Sequence, residues 1–449
     1  YVAGFIFFAG FLEAFGGLRI FMKLALSITG ALAGGPANIA VVASGFFAMI
    51  SGSTVANVVS TGSITIPLMR RMGYRNAWAG AVEAVASTGG TITPPVMGAT
   101  AFILSEFMGV SYLEVMKAAI IPAFLYYAGL FAAVHAQSKK MGFTGMPREK
   151  LPELKSALIR SAHLILPILI LVYLLVEQYV PITAALYASV ALFLMAFLAR
   201  DTRPTWKRVL KASKAACKAM VVVSAACAAA GIVIAVLNLT GLGFKLSSII
   251  VALSGGNLLI ALLFTQAAAV LLGMGLVTPA VYALLAVLVA PGLVKIGIHP
   301  MSAHMFIFFC SALAPITPPV ALAAYAAAGL AESSPFTVSM NAVKLGLVAF
   351  FLPYFFVYNP SLLFMGPYLE ILGHFTTALI GVIVLGFATQ GFARNPLTRS
   401  EQAICLVLAL LLIVPNNMLS IIGLVGLAIA WWVNSKKTTG NSSHETPSA

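Results

Sequence analysis

The sequence predicts an all-α polytopic membrane protein with an inverted internal repeat, two re-entrant hairpins and two broken transmembrane helices. Three observations lead to this fold class. Of the 449 residues, 61% are hydrophobic and only 8% are charged, and apolar runs of about 17–25 residues recur, each long enough to cross a bilayer. Basic residues are concentrated in short loops. The phrase "ITPP" occurs twice, beginning at Ile92 and Ile316, each time inside an apolar segment.

Two basic loops set the predicted orientation of the spans. They run from Gln137 to Arg160 and from Ala199 to Lys214, and their excess of Lys and Arg predicts that both are cytoplasmic. The formal net charge of +14 therefore indicates membrane orientation, and we expect no binding to nucleic acid. Counting spans forward from these loops also predicts a cytoplasmic C-terminus.

The two ITPP phrases belong to a duplication with an offset of 224 residues, from Ile92 to Ile316. Other Thr, Pro and Gly residues match in the same ungapped register: Thr54 with Thr278, Pro67 with Pro291, and Gly73 with Gly297. The link after the first hairpin carries three arginines and is predicted to be cytoplasmic, whereas the link after the second has one lysine and is predicted to lie outside. Inverted repeats are common in secondary transporters, although pore-forming proteins also contain them.

Each copy of the repeat is interrupted twice. The first interruption is a polar turn (Met49–Ser63 and Leu271–Tyr282) between apolar runs that are too short to span, which predicts a re-entrant hairpin. The second is the Pro-Pro pair, which removes helical hydrogen bonds and leaves carbonyl groups that need water, protein donors or a cation. A simple kinked helix is the alternative for one such motif, but recurrence at matching positions favours a binding site.

The residues around these interruptions suit two kinds of ligand. Hydroxyl and carbonyl oxygens bind hard cations such as Na⁺, whereas helix N-termini near Thr54, Pro95, Thr278 and Pro319 favour an anion such as a carboxylate. The hydroxyl groups are those of Ser51, Ser53, Thr54, Thr93, Thr278 and Thr317. The predicted substrate-binding residues are Thr54, Asn57, Glu83, Pro94, Pro95, Pro318 and Pro319.

Glu83 is an ionisable residue inside an apolar segment, where a charge is costly and indicates a functional site. It could hold a proton, contact the transported species, or serve as a structural carboxylate bonded to hydroxyls such as that of Ser87. Asn57 could bridge the hairpin tip or face the cavity. The sequence contains no P-loop, no nucleophile elbow and no clustered metal ligands, so we expect no enzyme activity, no transition-metal site and no cofactor apart from Na⁺ as a coupling ion.

Two long stretches carry a family resemblance. "SGSTVANVVSTGSITIPLMRRMGYRNAWAGAVEAVASTGGTITPPVMGATAFI" (Ser51–Ile103) and the stretch Gly273–Ala331, which contains "GMGLVTPAVY" and "SALAPITPPVALAAYAAAGLA", resemble the large membrane subunit of the TRAP transporters. The sequence segments "EAVASTGG", "PPVALAAYAAAG" and "YNPSLLF" resemble those of the fused permeases that work with TAXI-type binding proteins. The resemblance covers roughly Gly4–Pro367.

The resemblance implies a sodium-coupled, elevator-type importer of organic acid anions in the inner membrane of a bacterium or archaeon. Its implied partners are a periplasmic TAXI-type solute-binding protein and a small four-helix membrane subunit. In fused members that subunit precedes the large one, and since the chain starts inside an apolar run, we expect it to be the C-terminal part of a longer polypeptide. The sodium sites carry over to Ser51, Gly52, Ser53, Gly90 and Thr93, and to Gly273, Gly275, Thr278, Ala314 and Thr317.

The implied organisation separates a moving transport domain from a scaffold. The transport domain comprises residues 37–110 and 257–332, each with one hairpin and one broken helix. The remaining segments are 1–36 (first span and arm helix), 111–211 (scaffold helices), 212–256 (scaffold helix and second arm helix), 333–434 (C-terminal membrane helices) and 435–449 (a disordered cytoplasmic tail). The competing functions are a stand-alone Na⁺/dicarboxylate carrier and an ion channel without a binding protein.

Overall fold

The structure is a computed structural model that describes residues 2–241, 245, 248–249, 252–412 and 417–436. In the first half of the described chain the helices are α1 (Val2–Ala14), α2 (Gly17–Thr29), α3 (Gly35–Ser51), α4 (Thr54–Arg71), α5 (Asn76–Gly90), α6 (Gly98–Met108), α7 (Tyr112–Lys140), α8 (Leu154–Val176), α9 (Pro181–Met195) and α10 (Trp206–Thr240).

The second half continues with α11 (Leu258–Leu272), α12 (Thr278–Leu288), α13 (Ala290–Lys295), α14 (Pro300–Leu313), α15 (Leu322–Ala331), α16 (Pro335–Leu345), α17 (Leu347–Tyr358), α18 (Tyr368–Gln390), α19 (Arg399–Leu411) and α20 (Asn417–Lys436). Short 3₁₀ turns occur at Arg148–Lys150, Ala314–Ile316 and Pro360–Leu363. The predicted second arm helix (Gly241–Gly255) lies partly, and the C-terminal tail almost entirely, outside the described residues.

The prediction of an all-helical, multi-pass membrane protein is confirmed. Five helices of the described chain are long and apolar enough to cross a membrane, or up to seven spans if two bent helix pairs are each counted as one. One bent pair is α1 with α2, at 71°, and the other is α16 with α17, at 41°. The second pair lies within the predicted C-terminal membrane segment 333–434 and bends at Gly346.

The duplication is visible in the backbone at an offset of 224 residues. Hairpin 1 (α3, a tip at Gly52–Ser53, and α4) corresponds to hairpin 2 (α11, a tip at Gly273–Val277, and α12 with α13). Break 1 (Thr91–Met97) follows α5, and break 2 (Ala314–Ala321) follows α14. Matching cis peptide bonds join the two prolines of each break. The two copies therefore share their interruptions as well as their helices.

Two details differ from the predicted helix bounds. The half-helices beyond the breaks begin at Gly98 and Leu322, three residues after the predicted starts at Pro95 and Pro319. The residues just before them, Met97 and Ala321, have φ angles of 51° and 37°, which lie in the left-handed region and cannot continue a right-handed helix. In hairpin 2, the second arm is also divided at Val289, between α12 and α13.

The segments around the breaks form one packed core. Helix α5, which precedes break 1, packs between both arms of hairpin 1 and also against α15 and α16. A methyl group added at Gly80 of α5 would lie 3.4 Å from the backbone oxygen of Ala327. The first interrupted helix thus lies directly beside the half-helix that follows the second break.

Candidate functional site

The tip of hairpin 1 is in direct contact with both sides of break 1. A methyl group at Gly90 would lie 1.9 Å from Cβ of Ala48, near the end of α3. A methyl group at Gly52 would lie 2.4 Å from Cα of Gly98, the first residue of α6. These approaches are possible only without side chains at Gly52 and Gly90. The predicted residues Gly52 and Gly90 therefore both lie where hairpin 1 meets break 1, Gly52 against the start of α6 and Gly90 against the end of α3.

Hairpin 2 makes the corresponding contact with break 2. A methyl group at Gly273 would lie 2.2 Å from Cβ of Ala314. Gly275, in contrast, has φ +87° and no atom within 4 Å of an added methyl group. The second tip therefore touches its break at the end of α11, while the residues toward Thr278 leave open space.

The hydroxyl groups at the two breaks are arranged alike. Thr93 donates a hydrogen bond to the carbonyl oxygen of Gly89 at 2.6 Å, and Thr317 donates to that of Leu313 at 2.8 Å. Each hydroxyl oxygen keeps lone pairs that could bind a cation. Near the first tip, the Ser51 hydroxyl oxygen is buried and has no hydrogen-bond partner in the described part of the chain, so it too is available as a ligand.

The two tips differ in how the following helix begins. Ser53 caps α4 by accepting a hydrogen bond from the backbone N–H of Ala56 at 3.4 Å. The equivalent residue Val277 precedes α12 without any side-chain cap. Thr54 is buried and Thr278 is partly buried at the start of these two helices. Any oxygen ligand from the second tip must therefore come from the backbone or from Thr278.

The predicted substrate-binding residues fall into separate groups. Pro94 and Pro95, like Pro318 and Pro319, lie within the breaks. Asn57 and Glu83 are completely buried and belong to one hydrogen-bonded cluster between α5 and hairpin 1. The structure does not place a hydrogen bond between this cluster and the proline residues. Substrate contact by these residues stays a prediction.

Sequence reasoning missed the tyrosines that hold the breaks. The hydroxyl of Tyr112 donates to the carbonyl oxygens of Pro95 at 2.8 Å and Val96 at 2.7 Å. The hydroxyl of Tyr325 donates to the carbonyl oxygen of Pro319 at 2.6 Å. These bonds pair carbonyl groups that the Pro-Pro interruption frees from the helix. Tyr325 lies on the helix that starts just after the prolines, and that position is a signal that could have identified it. Tyr112 begins the next helix, 17 residues from Pro95, and offers no such local signal.

A second pair of tyrosines anchors the helix before break 1. Tyr126 and Tyr127 on α7 donate to the carbonyl oxygens of Val85 at 2.7 Å and Ala86 at 2.8 Å. A methyl group at Gly89 would lie 2.4 Å from the Tyr126 ring. The glycine therefore lets both rings approach the helix, and break 1 is fixed from the α7 side.

One family matches most of the chain. The family described as "Tripartite ATP-independent periplasmic transporter, DctM component" matches residues 1–371. This match includes both hairpins and both breaks.

Several curated proteins are similar to the chain. The "Isethionate TRAP transporter permease protein DctMQ" of Oleidesulfovibrio alaskensis is 26% identical over 350 residues, 77% of this chain and 54% of the relative. The "C4-dicarboxylate TRAP transporter large permease protein DctM" of Pseudomonas aeruginosa is 30% identical over 201 residues, 44% of this chain and 47% of the relative. The chain thus spans about half the length of these two relatives.

A third relative matches along most of its own length. The "2,3-diketo-L-gulonate TRAP transporter large permease protein YiaN" of Escherichia coli is 25% identical over 370 residues, which is 80% of this chain and 84% of the relative.

Proposed function

The chain belongs to the DctM component family of the tripartite ATP-independent periplasmic transporters, and from this we propose that it is the membrane permease subunit of a sodium-coupled importer of organic acid anions. Its apolar helices and its relatives indicate a multi-pass protein of the bacterial inner membrane. The proposal includes a periplasmic solute-binding protein of the TAXI type and a small four-helix membrane subunit as partners.

The observation that carries the proposal is the pair of contacts between a hairpin tip and a helix break. In the break beside each contact, a Thr hydroxyl, of Thr93 or Thr317, donates to a carbonyl oxygen at the C-terminal end of the preceding helix. Carbonyl and hydroxyl oxygens at the ends of interrupted helices are suitable ligands for Na⁺. We assign one sodium site to Ser51, Gly52, Ser53, Gly90 and Thr93 and the other to Gly273, Gly275, Thr278, Ala314 and Thr317.

An anionic substrate suits the N-termini of the helices that begin after these interruptions. Helices α4 and α12 begin at the two tips, and α6 and α15 begin after the two breaks. Their first backbone N–H groups lack helical partners and carry partial positive charge. The three relatives described above are named for isethionate, C4-dicarboxylate and 2,3-diketo-L-gulonate, all of which are acids. This agreement supports an organic acid anion as substrate.

An elevator mechanism would divide the chain between the repeats and the remaining helices. In the proposal, hairpins 1 and 2, with α5, α6, α14 and α15, move as one body. Hairpin 1, α14 and α15 pack against α5, and hairpin 2 packs against α14, which supports a single rigid unit. The hairpins would re-enter the membrane from opposite sides, with the C-terminus in the cytoplasm, as the basic loops predict.

The sodium sites can be tested without knowing the substrate. We would measure the melting temperature of the full-length protein in detergent while replacing K⁺ with Na⁺ at constant ionic strength. A ligand that binds only the folded state stabilises it by mass action, by about 2.7 kcal/mol at a concentration of about 100 Kd. The expected result is saturable stabilisation by Na⁺ that is weakened in S51A and T93A and unchanged in S63A, an exposed serine of the same hairpin.

A second measurement separates the proposed importer from its alternatives. Candidate acids and the binding protein would be added outside reconstituted vesicles across which a sodium gradient is imposed. Uptake that needs both the gradient and the binding protein supports the importer. Uptake that needs only the gradient indicates a stand-alone carrier, and flux without saturation indicates a channel. In the stability measurement described first, equal melting temperatures in Na⁺ and in K⁺ would reject the sodium sites.

A further inference from the structure

Glu83 lies at the centre of a cluster of hydroxyl groups that neither proposed sodium site uses. Its side chain is fully buried on α5. Ser44 of α3 and Thr61 of α4 donate to Oε1, Ser87 donates to the same oxygen at 3.3 Å, and Thr65 of α4 donates to Oε2 at 2.5 Å. The donors therefore come from both arms of hairpin 1 and from α5 itself.

The carboxyl group has no cationic partner among the described residues. Neither of the two ion pairs in the described chain includes Glu83. The helices packed against α5 carry several titratable groups, none of which has a hydrogen bond to Glu83: Arg70 and Arg71 on α4; Tyr112, Glu114, Lys117, Tyr126, Tyr127, His135, Lys139 and Lys140 on α7; His304 and Cys310 on α14; Tyr325 on α15; and Lys344 on α16. An unpaired ionised carboxylate is costly in such a place.

The hydroxyl groups have a second set of acceptors. The hydroxyl oxygen of Ser44 lies 2.9 Å from the hydroxyl oxygen of Thr61. The hydroxyl oxygen of Thr61 lies 2.7 Å from the carbonyl oxygen of Asn57, and the hydroxyl oxygen of Thr65 lies 3.1 Å from the carbonyl oxygen of Thr61. A hydroxyl group has one hydrogen to donate and can rotate to suit its partner. The cluster can therefore satisfy an ionised carboxylate with four donors, or turn its hydroxyls to other acceptors when the carboxyl group carries its own hydrogen.

Asn57 leaves the cluster with one unused acceptor. Its amide nitrogen donates to the Ser87 hydroxyl at 2.6 Å and to the carbonyl oxygen of Ser44 at 3.3 Å. Its amide oxygen is buried and has no hydrogen-bond partner among the described residues. An unpaired buried acceptor costs about 1–3 kcal/mol. The cluster therefore has one buried acceptor that its present donors do not satisfy.

The spacing of the oxygens favours a proton over a metal cation. Ser44 and Thr61 lie at hydrogen-bonding distance from each other, and both donate to the same carboxyl oxygen. Such distances hold a hydrogen atom between two oxygens. A cation would instead need the hydroxyl lone pairs that face away from these bonds. The four hydroxyl groups already bond to the carboxyl group without a bound cation.

We propose that Glu83 is a proton-binding site, whose carboxyl group takes up and releases a proton inside the cluster formed by Ser44, Thr61, Thr65 and Ser87. Since the donors belong to α3, α4 and α5, each change of protonation alters the hydrogen bonds that hold hairpin 1 against the helix before break 1. This role does not depend on sodium coupling, because the cluster shares no residue with either proposed sodium site.

Infrared difference spectroscopy tests the proposal on the purified full-length protein. Spectra recorded between about pH 5 and about pH 9 would report the stretching band of protonated carboxyl groups. The expected result is a band that titrates in the wild type and in E106Q, an exposed control, and is missing in E83Q. A wild type without a buried titrating carboxyl band, or an E83Q protein with an unchanged band, would overturn the proposal.

A milder variant covers the case in which E83Q does not fold. S87A removes one donor from Glu83 and leaves the carboxyl group in place. The expected result is a shift of up to about one pH unit in the titration of the band, with no shift in S63A. Unchanged titration in S87A would show that the band does not come from Glu83 and would also overturn the proposal.

Discussion

Arg70, at the end of hairpin 1, forms an ion pair with Glu332, which directly follows α15, with 3.0 Å between Nη2 and Oε2. The two residues are 262 positions apart, and they belong to different copies of the repeat. Glu332 also has φ +51°, a conformation that ends the helix. The ion pair therefore joins the exit of the first hairpin to the exit of the second interrupted helix on one face of the molecule.

This ion pair predicts a stability difference at acid pH. The hydrogen bond from Arg70, and then its charge, lower the pKa of the Glu332 carboxyl below its ordinary value. A carboxyl group with a pKa lowered by folding stabilises the folded state above its unfolded pKa of about 4.3 and loses that effect as the pH falls through the folded value.

The expected effect is small, because both side chains are in contact with solvent. R70Q should melt slightly below the wild type at about pH 7, and the difference should vanish once the pH lies below the pKa of Glu332. R71Q, which removes a neighbouring exposed arginine without an ion pair in the described chain, provides the control. A difference between R70Q and the wild type that persists at the lowest pH would contradict this account.

A second prediction concerns the contact between hairpin 1 and break 1. G90A places a methyl group 1.9 Å from Cβ of Ala48 and 2.6 Å from its carbonyl carbon. Because backbone must move to relieve this overlap, we expect a loss of about 1–3 kcal/mol of stability and a weaker response to Na⁺. G329A, on the exposed side of α15 with no atom within 4 Å, should be neutral or stabilising by about 0.5–1 kcal/mol. Equal melting temperatures for the two variants would contradict a tight contact.

The helix interruptions could be predicted from the sequence because Pro and Gly act locally. Helices α4 and α12 begin at Thr54 and Thr278, as the register of the repeat required. The hydrogen bond from Ser87 to Glu83, one helical turn apart, could also be predicted, but hydrogen-bonding partners on other helices could not. Tyr126 lies 41 residues from the carbonyl group that it holds, and Ser44 lies 39 residues from Glu83. Such contacts depend on which helix faces meet, and these helices are too uniformly apolar to show a buried face.

A third prediction tests the role of Tyr112. Y112F removes the hydroxyl that donates to the carbonyl oxygens of Pro95 and Val96 and keeps the ring, which stacks on Phe102 with centroids 4.3 Å apart. Two buried acceptors then lose a donor, so we expect a loss of about 1–3 kcal/mol of unfolding free energy. Y187F alters an exposed tyrosine on α9 and should leave the melting temperature unchanged. A Y112F protein as stable as Y187F would show that water replaces the hydroxyl.

The last prediction follows from the difference between the two tips. Ser53 caps α4 through its hydroxyl oxygen, whereas Val277 gives α12 no side-chain cap. V277S supplies a side-chain oxygen that can also accept from the N–H of Ala280, which now donates to the carbonyl oxygen of Val277 at 3.0 Å, and such caps contribute about 0.5–2 kcal/mol. Val277 also packs against the small cluster of Ala230, Ala280 and Ala283, so V277A measures the loss of that packing alone. We expect V277S to melt above V277A and S53A to melt below the wild type; if V277S and V277A melt together, the start of α12 does not accept a cap.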